Sequence, residues 1–323
     1  MRKYILAAVL GSLTSAASAT CPYPLMDETS TRYDLFQPLQ PYSNIDFQSV
    51  EYLMQSTESA SGPEVVSYQA LSDAMVDAVI QSASTGLPGG DLALPASGIV
   101  AFEWQMDHFP AYASGDGYVV FGAGFASSNF PWLQSGTDNA LSVSIALANS
   151  PYGQGPFATV VAGNRIGGVL NWGASIGGVH PVALPLPANY RVGIYLNMDA
   201  RTVGFTLNGV DKGYLENEQG GPFLIPTAVS SIGLAFSGFT QVMGNSSLIG
   251  SPVGGTLITD SASFTQPFPA GTTGFTCGST SGSRLKLPNG KPFPGKSNPR
   301  GLQKFQPLLL PIKPLGQALK ANR

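Results

Sequence analysis

The stretch from Tyr190 to Tyr214 constrains the fold most, because apolar and other residues alternate along it on both sides of a tight turn. The alternating apolar positions are Val192, Ile194, Leu196, Val203, Phe205 and Leu207. A period of two predicts strands with one buried face. Asn208-Gly209 provides the left-handed geometry of a two-residue type I′ hairpin, after which residues 210–214 return as a third strand. This stretch therefore predicts a three-stranded antiparallel meander on which the rest of the chain packs.

Short segments with strand character continue from Gly98 onward, separated by glycine and proline turn signals. They cover residues 99–107, 118–126, 141–149, 158–162, 168–172, 224–229, 231–236 and 256–260. Strands at close spacing without intervening helices favour a sandwich over a parallel βαβ sheet. We therefore expect an all-β antiparallel sandwich with at most one or two short helices.

The chain before Gly98 offers one helix candidate, residues 63–82, preceded by short edge strands within residues 45–54. Leu71, Met75 and Val79 would form a narrow apolar stripe on a helix covering that segment. A competing interpretation makes residues 65–70 a strand that joins the sheet and is followed by a short helix. The Val-Val-Ser-Tyr run favours this second interpretation, because these residue types prefer strands.

Four segments also match a known pattern in the expected order: GIVAFEW from Gly98, YVVFGAGFA from Tyr118, VGFTLNGVDKGY from Val203 and FLIPTAVSSIGLAF from Phe223. Together they resemble SPRY domains, which belong to the concanavalin A-like jelly-roll superfamily. The resemblance covers roughly residues 98–260, whereas residues 129–187, rich in glycine and proline, match no part of the pattern. It implies a jelly-roll fold that recognises a protein or a glycan through its loops.

Residues 1–19 have the features of a secretory signal peptide. Arg2 and Lys3 give the positive start, residues 4–13 the apolar run, and Ala17-Ser18-Ala19 the cleavage motif. That apolar run is too short to span a bilayer, and no other stretch suggests a transmembrane segment. Charged residues make up only 11% of the chain, which is typical of a turn-rich extracellular β protein. We expect a secreted protein, periplasmic or extracellular and of bacterial origin, with one domain at 20–277.

The two cysteines and the charge distribution separate this domain from the C-terminal segment. Cys21 and Cys277 are expected to pair in an oxidising compartment and to join the two ends of the domain. All 19 acidic residues lie between Asp27 and Asp260, whereas residues 278–323 contain nine basic residues and no acid. The many prolines there predict an extended, disordered basic tail that could attach to an anionic polymer.

The catalytic motifs in the sequence have structural explanations. The segment from Gly173 to Gly177 matches the GxSxG nucleophile elbow, but the glycines and Pro181 that come after it prevent the required helix. His180 is too close in sequence to serve as the base of a triad. Glu103 and Asp107 share a strand face about 13 Å apart, too far for a retaining glycosidase pair, and Glu103 is interpreted as structural.

Metal and cofactor sites are not expected. His108 and His180 are the only histidines, and neither has further ligands at a suitable spacing. Asp116, Asp138 and Asn139 leave open a Ca²⁺ site built from loop oxygens, without any EF-hand spacing to support it.

Aromatic residues in the Gly/Pro-rich region are the candidate ligand-binding residues: Phe130, Trp132, Tyr152 and Trp172. Exposed rings beside amide and carboxylate groups can stack on sugars or hold a peptide. We therefore expect a non-enzymatic binding module for a glycan or an extracellular protein, without specific nucleic-acid recognition. One alternative is a glycoside hydrolase or lyase on the same fold, with two facing carboxylates in a groove. Another is a structural surface or matrix protein anchored by its cationic tail.

Overall fold

The computed structural model describes residues 21, 23–27, 42–59, 62–63, 65–78, 87–110, 117–127, 139–150, 155–174 and 178–275. The predicted signal peptide, Cys277, the predicted basic tail and the predicted site residues Phe130, Trp132 and Tyr152 lie outside these ranges. In the described part of the chain, no helix is long and apolar enough to cross a membrane.

The described residues form twenty strands, a short α-helix at 73–78 and a 3₁₀ helix at Ser261–Ser263. In chain order the strands are β1 (Met26–Asp27), β2 (Asn44–Asp46), β3 (Ser49–Leu53), β4 (Glu58–Ser59), β5 (Gly62–Pro63), β6 (Val66–Leu71), β7 (Leu92–Ala93), β8 (Ile99–His108), β9 (Gly117–Ala126), β10 (Ala140–Ser150), β11 (Gly155–Ile166), β12 (Val169–Ala174), β13 (His180–Pro181), β14 (Tyr190–Asn197), β15 (Thr202–Leu207), β16 (Val210–Tyr214), β17 (Glu216–Asn217), β18 (Ser231–Val242), β19 (Pro252–Ile258) and β20 (Thr272–Gly274).

Two large sheets contain nearly all of these strands. The first sheet has the order β1-β6-β18-β9-β10-β11-β12-β17, with β7 beside β18 and β13 beside β11. The second has the order β16-β15-β14-β8-β19-β3-β2. Pairing within the described residues is antiparallel except between β20 and the start of β8. The predicted all-β antiparallel sandwich is therefore confirmed.

The core lies between the sheets and is built from alternate residues of each strand. In β8 the inward positions are occupied by apolar side chains, among them Phe102 and Trp104, which are fully buried. The Trp104 ring meets Phe121 and Phe236 of the first sheet edge-on, with centroids 6.4 and 6.2 Å apart. Phe121 and Phe236 stack on each other at 5.2 Å. The outward positions of β8 are thereby left free to form a separate surface on the other side of the sheet.

The meander predicted around Asn208-Gly209 is confirmed. β14 pairs with β15 in the register Val192 to Leu207, and β15 pairs with β16. Both turn residues have positive φ, 43° at Asn208 and 84° at Gly209, as a type I′ turn requires. The same strands place Arg191 on the outward face of the second sheet, where a groove forms.

Two other expectations have different outcomes. The interpretation of residues 65–82 as a strand followed by a short helix is confirmed by β6 and the helix at 73–78. The strand expected at 224–229 is wrong, because only Leu224 makes an isolated bridge, to Thr202. Prolines at 222 and 226 bracket that residue, and proline cannot supply the backbone N–H that a continuous ladder needs.

A buried polar network attaches the N-terminal segment to the first sheet. The Tyr23 hydroxyl donates to Asp91 at 2.9 Å and accepts from the Leu234 backbone at 2.8 Å. Ser72 donates to Asp91, and its hydroxyl accepts from the Met75 backbone at 3.0 Å as the cap of the helix at 73–78. Burial raises the pKa of Asp91, although the hydrogen bonds from Ser72 and Tyr23 oppose that shift.

Asp91 is therefore expected to make folding pH-dependent. Because its pKa is higher in the folded than in the unfolded protein, its contribution to stability is fully present below the unfolded value, about 3.9, and is lost as the pH rises through the folded value. We expect wild type to gain stability relative to Asp91→Asn when the pH is lowered from 7 to 4. Urea unfolding of both proteins at the two pH values measures this difference. If the stability difference between wild type and Asp91→Asn is the same at pH 7 and pH 4, the raised pKa of Asp91 in the folded protein is contradicted.

Candidate functional site

An open groove of about 500 Å³ lies on the outward face of the second sheet. Its walls combine outward side chains of β8, β14 and β19 with the turn between β2 and β3, and include Phe47, Gln48, Gln105, Arg191, Thr256 and Asp260. Gln105 and Thr256 are direct neighbours across the β8–β19 pair, and Gln105 faces Arg191 across the β8–β14 pair. Strand alternation therefore brings residues from distant parts of the chain to one surface.

One side of the groove is closed by residues 260–271, here called the outer strap. The backbone N–H groups of Thr265 and Gln266 donate to Glu103 at 2.6 and 2.7 Å. Phe268 lies on Gly193 of β14, where an added Cβ would be only 2.5 Å from its ring. The outer strap therefore covers the β14 side of the sheet and leaves the β19 and β3 side open.

Glu103 is the anchor of this arrangement. It is 0% exposed, although it is on the outward face, because the outer strap covers it. Arg191 donates to its carboxylate at 2.9 Å and also to the Ser263 carbonyl at 2.8 Å. A buried carboxylate with a cation and two backbone donors has the satisfied environment that burial requires, in agreement with the structural interpretation of Glu103.

A row of hydrogen bonds crosses the open half of the sheet. Ser49 lies 2.7 Å from the Thr256 hydroxyl, and Thr256 donates to Asp107 at 2.7 Å. The Gln105 side chain continues the row by donating to Asp107 at 3.0 Å and accepting from the Arg191 Nε at 3.3 Å. Gln105, Arg191 and Thr256 of this row line the groove, which therefore presents fixed amide, guanidinium and hydroxyl groups. Such groups can form hydrogen bonds to a polar ligand in a defined geometry.

An aromatic ring adds an apolar element to this polar surface. Phe47 is 51% exposed and lines the groove at the turn between β2 and β3. Gln48, the next residue, donates from its amide to the Leu257 carbonyl at 3.3 Å and to the Thr259 hydroxyl at 3.2 Å. The turn is thus attached to the edge of the groove.

The aromatic residues predicted to bind ligand do not define this groove. Trp172 is in β12 of the first sheet, half-buried, and pairs with Gly163 on the outward face of that sheet. It is therefore on the opposite side of the sandwich from Phe47. The other three, Phe130, Trp132 and Tyr152, lie outside the described residues, and their role stays a prediction.

The remaining chemical candidates are also placed by the structure. His108 lies 3.4 Å from Glu51 on the exposed outer surface. Burial, and then the charge of Lys212, lowers the pKa of His180, whose ring packs edge-on against Phe205. No group of three potential metal ligands occurs within the described ranges. Of the proposed Ca²⁺ ligands only Asn139 is described, and most of the GxSxG segment lies outside those ranges.

Comparison with known proteins finds solved structures of low similarity to this chain. No family model matches the chain, and no curated protein matches it. The endo-1,3-β-glucanase from Streptomyces sioyaensis is similar at 11% identity and a TM-score of 0.41, covering 73% of this chain and 87% of that chain. The carbohydrate recognition domain of Emp47p has 9% identity and a TM-score of 0.35, covering 76% and 98%. The κ-carrageenase from Pseudoalteromonas carrageenovora has 10% identity and a TM-score of 0.35, covering 77% and 97%.

One sequence-based expectation is corrected by this comparison. The sequence predicts that the chain is no enzyme, because its motifs form no convincing catalytic arrangement. That expectation is corrected, because the similar solved structures include glycoside hydrolases as well as lectin-like domains. Low similarity at the level of fold does not assign either activity to this chain.

Proposed function

We propose that this protein recognises a neutral glycan in the groove on the outward face of the second sheet. The observation that carries the proposal is the hydrogen-bonded row from Ser49 to Arg191 next to the exposed ring of Phe47. A sugar presents hydroxyl groups around its edge and C–H groups on its faces, so it suits a surface that offers both fixed polar groups and a ring. The groove is large enough for a few sugar units.

Charge favours a neutral ligand over an anionic one. Asp260 lines the groove, and Asp107 is hydrogen-bonded to Gln105 and Thr256, which also line it. Arg191, the cation among the described lining residues, is paired with Glu103. A sulfated or uronic polymer would therefore meet carboxylates without a free compensating cation among the described groove residues. Like charges brought together in this way reduce affinity.

The sequence arguments extend the proposal to the whole protein. We propose a secreted protein with one SPRY-like domain at 20–277, in which a Cys21–Cys277 disulfide joins the two ends and the basic tail binds anionic polymer. Support for the disulfide comes from Thr259, whose hydroxyl donates to the Cys21 carbonyl and whose own carbonyl adjoins Gly274. The last described residues, 272–275, thus lie close to the segment that carries Cys21.

The test is binding of the mature protein to neutral and anionic glycans on one array, followed by titration calorimetry. We expect neutral glycans to bind, and Gln105→Ala to weaken binding about tenfold by removing a residue that orients both Arg191 and Asp107. Gln69→Ala is the matched control, because Gln69 is in β6 of the opposite sheet. Product analysis after incubation also reports cleavage of the glycan.

Binding of anionic glycans only, or an equal loss in both glutamine variants, would contradict the proposal. The first outcome would show that the carboxylates do not determine ligand charge. The second would place the ligand elsewhere or attribute the loss to general destabilisation.

A further inference from the structure

The turn between β2 and β3 contains an unusual residue for its geometry. Asp46 pairs with Ser49, so Phe47 and Gln48 form a two-residue hairpin loop. Phe47 has φ 55°, in the left-handed region, whereas Gln48 is not among the positive-φ residues. A positive φ at the first central position is the type II′ arrangement, in which glycine is preferred. A bulky side chain there is disfavoured, because its Cβ crowds the backbone.

The other described non-glycine residues with positive φ have evident local reasons. Asn189 and Asn208 are of the type that tolerates this conformation. Arg201 uses its side chain to donate to backbone carbonyls, including those of Ile225 and Val229. Phe47 has no polar side-chain group with which to do so, and the residue is 51% exposed. Local stability therefore does not account for a phenylalanine at this position.

The backbone of the loop is held on both sides. The Leu25 N–H donates to the Phe47 carbonyl at 2.7 Å, and the Leu257 N–H donates to the Gln48 carbonyl at 2.9 Å. These bonds fix the position of the Phe47 backbone at the edge of the groove. A ring positioned before the ligand arrives loses little conformational freedom on binding, which favours affinity.

We infer that Phe47 is the residue that holds one face of the glycan, and that its unfavourable backbone conformation is retained because it points the ring along the groove. The inference rests on the proposed function and adds a specific contact to it: apolar stacking of one sugar face on Phe47, while Gln105 and Thr256 bind the hydroxyl edge. Backbone strain that persists at a binding surface is a known feature of functional sites.

Two substitutions and a control test the inference in the full mature protein. Phe47→Asn keeps a residue that tolerates positive φ but removes the ring, and Phe47→Tyr keeps the ring. We expect Phe47→Asn to weaken binding of the neutral glycan found on the array about tenfold without lowering Tm, and Phe47→Tyr to bind nearly as wild type. Val210→Ala is the control, because Val210 is 52% exposed at the start of the edge strand β16, outside the groove.

The outcomes separate the two proposals. If wild type binds no neutral glycan, the proposed function fails and the inference fails with it. If wild type binds and Phe47→Asn binds equally well, only the inference about Phe47 is overturned. If Phe47→Asn lowers Tm by more than about 3 °C, the ring supports the fold, and the claim that its conformation is kept for binding is wrong.

Discussion

Replacing Arg191 with Met is expected to lower the free energy of unfolding by about 3–5 kcal/mol. The substitution removes the only side-chain cation that contacts Glu103 in the described structure, and it leaves that carboxylate fully buried under the outer strap. The remaining donors to Glu103 are the backbone of Thr265 and Gln266 and the Thr265 hydroxyl. They satisfy its hydrogen-bonding capacity without neutralising its charge. Urea unfolding followed by tryptophan fluorescence measures the loss.

The exposed pair of His108 and Glu51 provides the matched control. Their side chains are 53% and 33% exposed, so removing this pair with Glu51→Gln is expected to cost less than about 1 kcal/mol. The double variant Glu103→Leu with Arg191→Met should lose much less than the sum of the two single variants, because no unpaired charge then stays buried. Equal losses at the buried and exposed pairs would show that the outer strap does not isolate Glu103 from water.

Trp104→Ala is expected to cost about 3–5 kcal/mol, since it removes from the centre of the sandwich the largest fully buried side chain among the described residues. Trp104 is the residue of β8 that contacts both Phe121 and Phe236 of the first sheet, so its loss opens a cavity between the sheets. Close packing on both sides limits how far the cavity can collapse. Thermal and urea unfolding give the change.

Trp104→Phe separates packing from polarity at the same position. The Trp104 Nε1–H is buried without a hydrogen-bond partner in the described structure, and phenylalanine removes this cost while keeping a ring. We therefore expect the loss for Trp104→Phe to be well below half of that for Trp104→Ala. Similar losses for the two variants would mean that the indole nitrogen has a partner, such as an ordered water.

Much of the fold is predictable from the sequence because its signals are local. The alternation around Asn208-Gly209 and the turn residues themselves determine the meander, and β8 to β12 are predicted to within a few residues at most ends. β11 and β18 are longer than expected because their later residues pair with β10 and β9 in a ladder that single-strand periodicity does not reveal. Sheet partners, and hence strand lengths, depend on tertiary context.

The groove is not predictable in this way. Gln105, Arg191 and Thr256 come from three separate strands, and each is an ordinary outward polar residue until the register places them side by side. Phe47 is missed for a different reason: its turn lacks the glycine or asparagine that normally identifies a two-residue hairpin. The short segments of strand character on either side of Phe47 and Gln48 are nevertheless a signal by which sequence analysis can find this turn.

The position of Glu103 also determines when this protein can finish folding. Its last backbone donors, Thr265 and Gln266, come 162 and 163 residues after it, and the central strand β8 finds its neighbours β14 and β19 only far downstream. A nascent chain can therefore complete neither the central ladder nor the cover over this acid until almost all of the domain has been synthesised. Because so many of its strand pairings join residues distant in sequence, this fold is expected to form slowly.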